Sequence, residues 1–251
     1  MRVRSTLRAA AAAVTFLTIL PLGRLFALDE TDVARGSLFF PLVGAALGAA
    51  VGLAAVALDD VLPVFVAAAL AVALEALLTG VMHLDALADT ADGLGGGTRE
   101  RALDIMRDAQ IGSFGAVALV LDLLVKVTAV VAVIELERTV LVLAAVWAIG
   151  RSAPLALALL LPYARPEPGS GRTLTDGAGR VRLLLGLALG IVLAIVAAGA
   201  RSPALLAAAG VCVLSCYLVA RSRFGGVTGD VLGASVEVTT TLALVGAVAT
   251  P

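Results

Sequence analysis

The chain has 251 residues, 61% hydrophobic and only 15% charged, with a formal net charge of −1. Its mean hydropathy of +1.06 exceeds anything a water-soluble domain needs, so the composition specifies a polytopic membrane protein. The near-zero charge excludes a nucleic-acid partner, which needs a basic surface, and Cys212 and Cys216, one helical turn apart in an apolar run, read as packing residues.

In chain order, Met1 to Leu20 opens with Arg2, Arg4 and Arg8 and continues into an apolar run too short for an ordinary span. It resembles a signal-peptide core, but Pro21-Leu-Gly-Arg24 follows without a small-residue cleavage pattern, so an interfacial or re-entrant helix kept in the mature protein is expected. After a charged loop (Asp29, Glu30, Asp32, Arg35), apolar runs long enough to span lie at 36–58, 61–81, 111–134, 139–161, 183–200, 203–220 and 231–249. The expected fold class is therefore all-α, a polytopic integral membrane helical bundle of about seven transmembrane helices forming one transmembrane catalytic domain over 1–251. Gly44, Gly48 and Gly52 recur every fourth residue and predict close packing of another helix on the first span.

Alternation of these runs puts Arg24, Arg35, Arg99, Arg101, Arg107, Arg165, Arg172, Arg180, Arg182, Arg221 and Arg223 at one end and leaves Arg138 and Arg201 at the other. By the positive-inside rule the arginine-rich end is expected to face the cytoplasm.

That end carries the longest polar interval, from His83, the only histidine, to Arg107. On a helix, Asp85, Asp89 and Asp92 fall at i, i+4 and i+7, so three carboxylates share one face. Such a row repels itself unless a hard divalent cation takes its oxygens, and Mg²⁺, which bridges phosphates, is the usual tenant. Glycines after Asp92 permit close backbone approach, and Arg99, Arg101 and Arg107 supply positive charge beyond them. Acids for metal and arginines for phosphate point to chemistry on a diphosphate.

Within the apolar runs stand Glu75, Asp122 and Lys126 one turn apart, Arg151, and Asp230 and Glu237 seven apart on one face. Ionisable groups at such depth mark a functional cavity, and they are expected to converge on one polar pocket at the arginine-rich end. Asp122 and Lys126 also fit a self-contained i, i+4 ion pair, and Asp230 also fits a helix cap. Arg151, with no acid within a turn, needs a carboxylate from another helix or a phosphate. The loop from Pro162 to Val181, rich in Pro, Gly, Ser and Arg, reads either as a lid carrying Arg165, Arg172 and Arg180 to an anionic substrate or as a mobile connection. The layout suits Mg²⁺-assisted transfer at a phosphoanhydride, with a carboxylate or His83 accepting the proton of an attacking hydroxyl, or His83 merely orienting Asp85.

The segment His83-x-Asp85-x-x-x-Asp89-x-x-Asp92-Gly93, followed by Arg99-Glu-Arg101-Ala-Leu-Asp-Ile-Met-Arg107-Asp-x-x-Ile111-Gly-x-Phe-Gly115 and Lys126, resembles the cobalamin synthase (adenosylcobinamide-GDP ribazoletransferase) family. Phe16-Leu-Thr18-x-x-Pro21, Phe40-Pro-Leu-Val-Gly44, Gly150-Arg151 and Thr228-Gly-Asp230-Val-Leu-Gly233-Ala-x-x-Glu237 match in order, while Ala86 departs from the Gly common in the family. The resemblance implies the last assembly step of the nucleotide loop of adenosylcobalamin: a hydroxyl of α-ribazole, or of its 5′-phosphate, attacks the phosphorus next to the cobinamide of adenosylcobinamide-GDP, and GMP leaves, with Mg²⁺ required. Under it, His83, Asp85, Asp89, Asp92 and Glu237 are the expected catalytic residues. Asp85, Asp89, Asp92 and Asp230 are expected to hold metal, and Arg99, Arg101, Arg107, Lys126 and Arg151 to face phosphates. The lipid bilayer is a further partner, the cytoplasmic (inner) membrane the expected location, and a homo-oligomer is compatible with all of this. An intramembrane prenyltransferase or a CDP-alcohol phosphotransferase shares the metal logic, and an ion-coupled transporter is the non-enzyme alternative.

Overall fold

In a bilayer each backbone N–H and C=O has to find its partner inside the protein, and long apolar runs answer by coiling into helices. The computed structural model describes residues 2–167 and 169–249, and every regular element among them is helical. The N-terminal part comprises α1 (Arg2–Leu17), α2 (Gly23–Phe26), α3 (Glu30–Gly36) and α4 (Phe40–Asp59). Next come α5 (Val64–Leu78), α6 (Met82–Leu94), α7 (Arg99–Ile105), α8 (Ser113–Ile134), α9 (Thr139–Gly150) and α10 (Ala153–Leu160). The chain ends with α11 (Ser170–Arg172), α12 (Arg180–Ala198), α13 (Ser202–Val219) and α14 (Gly229–Val248).

By length and composition five helical stretches can cross a membrane: Glu30–Asp59, α8, Thr139–Leu160, Arg180–Phe224 and α14. The stretch Arg180–Phe224 runs 45 residues, roughly 68 Å at the α-helical rise and more than twice the hydrocarbon thickness. Gly199, at φ +58, breaks it. From there α13 returns: Arg201 near its start donates to the carbonyl of Ala247 at the far end of α14, whereas Arg223 beyond its end reaches Leu94 and Gly96 at the arginine-rich end. With that division and α5, the seven apolar runs are each helical, two of them interrupted. The run 61–81 stops at Leu78, where Gly80 and Val81 both take φ +62, and α6 leaves at 89° to α5. The run 139–161 breaks at Arg151–Ser152, because Pro154 has no N–H for the carbonyl one turn back.

The stretch Thr139–Leu160 and α14 are the most enclosed, whereas Val117, Val120, Leu121 and Leu124 of α8 are exposed, as a lipid-facing helix requires. The glycine stripe of α4 lies against α9: a Cβ on Gly44 would strike the backbone of Trp147 and Ala148, one on Gly48 the carbonyl of Leu143, and one on Gly52 the Cα of Val140. The helix α1 is 16 residues long and docks on α3, where Gly36 admits the backbone of Ala9 and Ala13 and Arg8 bonds buried Asp32 at 2.5 Å. It is not among the stretches long and apolar enough to cross.

Replacing Gly48 by leucine is expected to cost about 3 kcal/mol or more through overpacking of α4 on α9. Thermal unfolding of purified protein in detergent checks this; a melting temperature equal to the parent's would rule out the close α4–α9 contact.

Candidate active site

Inside the bundle Glu75 of α5, Asp122 and Lys126 of α8, Arg151 at the α9–α10 break and Glu237 of α14 meet, all buried. Lys126 donates to Glu237 and lies 3.3 Å from Asp122 and 3.9 Å from Glu75, while Arg151 Nη2 donates to Glu75 at 2.7 Å. Thr241, one turn beyond Glu237, donates to Asp122 at 2.6 Å. Lys126 therefore reaches three helices, and the i, i+4 contact with Asp122 is one strand of a wider net. Lys126 and Arg151, expected to face phosphates, are sealed from solvent and grip carboxylates instead. A cation in an apolar interior is too costly to leave without an anion. Three carboxyl groups share two cations here. Buried His83 lies within electrostatic reach of Glu75, Arg151 and Lys126, and its Nδ1 has no partner among the described residues.

The other acids sit at the arginine-rich end, where α6, turned 89° from α5, packs against α8 and α14. Ala86 opposes Gly233 of α14, and Ala88 and Asp92 oppose Gly115 of α8. The α6 aspartates divide. Asp92 is buried, and its two oxygens accept from the backbone N–H of Gly112 at 2.7 Å and of Gly115 at 2.8 Å. The N-cap of α8 is Gly112, which has no side chain to offer, so Asp92 caps that helix from outside. A Cβ at Gly112 or Gly115 would collide with its carboxylate.

Asp85 is exposed and Asp89 half-buried, and among the described residues neither carboxylate has a donor or an ion-pair partner. Burial first, then the charges of Asp85, Asp230 and Asp92, push the Asp89 carboxyl up to about 6, against a pull from Arg165. This places Asp230, at the start of α14, in the same electrostatic neighbourhood. Arg165 bonds Asp230 at 3.0 Å, and Arg107 pairs with Glu167 at 2.6 Å on the rim. Arg99 donates to the carbonyl of Ala164, and Arg101 is exposed.

No three His, Cys, Asp or Glu among the described residues are arranged as a ready-made metal site. The donors nonetheless suit Mg²⁺, which keeps much of its water and is commonly held by one or two carboxylates plus substrate phosphates. The free oxygens of Asp85 and Asp89 beside Asp230 meet that need; those of Asp92 are taken by amides.

The loop after α10 is pinned rather than loose. Ala164 N–H donates to Val227 and Val227 N–H to Pro162, Leu174 is buried, and the Arg172 guanidinium lies 5.3 Å from the Tyr163 ring centre. Three recesses border it, two of them meeting at Asp230. One, of about 150 Å³, is mostly apolar and has His83, Asp85 and Asp230 on its wall. The other, of about 370 Å³, is lined by Arg107, Tyr163, Arg165 and Glu167 and shares Gly229 and Asp230 with the first.

The pairing of Glu75 with Arg151 and of Arg165 with Asp230 links residues far apart in the chain. The isolated acid at 75 and the acid-free surroundings of Arg151 were the available signal for their pairing; nothing in the loop's composition singles out Arg165. The glycine at the start of α8 signalled that its cap comes from elsewhere.

A family model described as cobalamin-5-phosphate synthase matches residues 9–248. The chain is 40% identical over 235 residues to an adenosylcobinamide-GDP ribazoletransferase of Syntrophobacter fumaroxidans, covering 92% of this chain and 94% of that protein. It is 42% identical over 238 residues to the protein of that name in Stutzerimonas stutzeri (93% and 95%) and 40% identical over 249 residues to that in Pseudomonas aeruginosa (96% and 98%). No solved structure matches the chain.

Lys126→Met strands three buried carboxylates beside one arginine and is expected to cost about 3–5 kcal/mol, with Lys126→Met/Glu237→Gln recovering part of it. Denaturation of the two variants in detergent measures this, and equal stability of parent and single variant would contradict the net.

Proposed function

The chain belongs to the cobalamin-5-phosphate synthase family, and on that premise we propose that Asp85, Asp89 and Asp230 hold Mg²⁺ for its reaction. That reaction is transfer to ribazole from adenosylcobinamide-GDP in cobalamin synthesis. The hydroxyl of α-ribazole or its 5′-phosphate takes the cobinamide phosphate and GMP leaves. The observation that carries the assignment is the position of Asp230, whose carboxylate borders both the apolar and the arginine-lined recess within electrostatic reach of Asp89.

When bound, the cation neutralises diphosphate charge and eases departure of GMP. Arg165 and Arg107, now paired with Asp230 and Glu167, exchange those carboxylates for phosphate oxygens, which arginine grips in a planar fork. Asp85 or His83, both on the wall of the apolar recess, takes the proton of the attacking hydroxyl. Lys126, Arg151, Glu75 and Glu237 hold α5, α8, α9 and α14 in register beneath the mouth. Eleven arginines at this end against Arg138 and Arg201 at the other orient the mouth to the cytoplasm, with the protein in the inner membrane.

Asp89→Asn and Asp92→Asn separate the two uses of the α6 acids. The first is expected to lower GMP release at limiting Mg²⁺ by about a hundredfold or more with the fold intact. The second is expected to lower stability by about 1 kcal/mol through the lost cap. Rates read by chromatography of GMP, alongside thermal melts, test both; undiminished GMP release by Asp89→Asn at limiting Mg²⁺ refutes the metal assignment.

A further inference from the structure

The two substrates differ in character, and so do the two recesses that meet at Asp230. Adenosylcobinamide-GDP brings a charged diphosphate and a corrin far larger than either space. Ribazole brings a flat, largely apolar bicyclic base on a ribose. We propose that the 150 Å³ recess is the acceptor subsite, taking the aromatic base of ribazole with the ribose directed toward Asp85 and Asp230; this rests on the transferase reading above.

Four observations carry the assignment. Among the described residues the recess has no Lys or Arg on its wall to grip phosphate, whereas the recess that shares Asp230 with it is lined by Arg107 and Arg165 and suits the donor. Its size suits an aromatic ring, since apolar cavities near 150 Å³ admit a benzene-sized molecule; the benzo edge of the base enters and the remainder projects to the opening. Its wall is aromatic: Phe16 and Phe40 stack with ring centres 5.6 Å apart and planes 11° from parallel, so that two motifs far from the aspartates in sequence meet at the site. Finally, its lining includes the polar side chains of Asp85 and Asp230 and that of His83, whose buried Nδ1 has no partner among the described residues.

The same wall selects among bases. Leu174, Leu232 and Val236 offer no hydrogen bond to the ring atoms of a purine, whose buried polar edge would go unpaired, whereas a benzimidazole-type base presents carbon there.

The test uses the full-length protein in lipid nanodiscs, varying ribazole at saturating adenosylcobinamide-GDP and then the reverse, with GMP release as readout. Val236→Phe, which fills the recess, is expected to raise the KM for ribazole about tenfold or more while the KM for adenosylcobinamide-GDP stays within about twofold. Should that variant fail to fold, Leu174→Ala enlarges the recess and is expected to shift relative kcat/KM about fivefold or more toward a ribazole analogue with a three-ring base. A raised KM for adenosylcobinamide-GDP alone, no change in either KM, or no shift in base preference overturns the subsite assignment and leaves the transferase reading standing. Parent protein that releases no GMP with any ribazole overturns the transferase reading itself.

Discussion

A lysine and an arginine enclosed in an apolar bundle have no water to fall back on, and the positions of four helix segments follow from where their carboxylates lie. Lys126 of α8 joins Glu75 of α5 and Glu237 of α14, and Arg151 at the α9–α10 break holds the other oxygen of Glu75. Such a net adds little stability over a well-packed apolar core, since desolvation offsets much of the attraction. Its contribution is to penalise other arrangements, because sliding any one helix by a turn would leave a charge without its partner. The charges of Arg151, Glu75 and Lys126 also reach buried His83, which lines the apolar recess and so stands between the net and the open mouth.

The mouth is built on that frame by devices that fix α6 against α8 and α14. The turn at Gly80 and Val81 directs α6 away from α5, and Asp92 anchors its far end by capping α8. With Asp92 so engaged, Asp85 and Asp89 are left facing Asp230. Arg223 clamps the carbonyls of Leu94 and Gly96, and Arg99 clamps that of Ala164. Arg99, expected to face phosphate, thus holds backbone, while Arg107 and Arg165 line the recess beside Asp230.

This division of labour suits a transferase working on a large amphiphilic donor. The basic recess has exposed Arg107 and Glu167 on its wall, while the apolar one is lined by residues of α1, α4, α6, α10 and α14. Asp230 belongs to both, so the two recesses meet at one carboxylate.

The sequence by itself determined the membrane class, the seven apolar runs, the clustering of arginine at one end, the glycine stripe of α4 and the shared face of Asp85, Asp89 and Asp92. All of these depend on composition or on periods of three to four residues, which local chain geometry converts directly into faces. Only the tertiary structure decided which charges pair. Glu75 and Arg151 stand 76 residues apart and Lys126 and Glu237 stand 111 apart, and no local period relates them. It also separated three aspartates that look equivalent along the helix: what an oxygen does depends on the donor that reaches it, and the amides that claim Asp92 are those of Gly112 and Gly115 at the start of α8, 20 and 23 residues away.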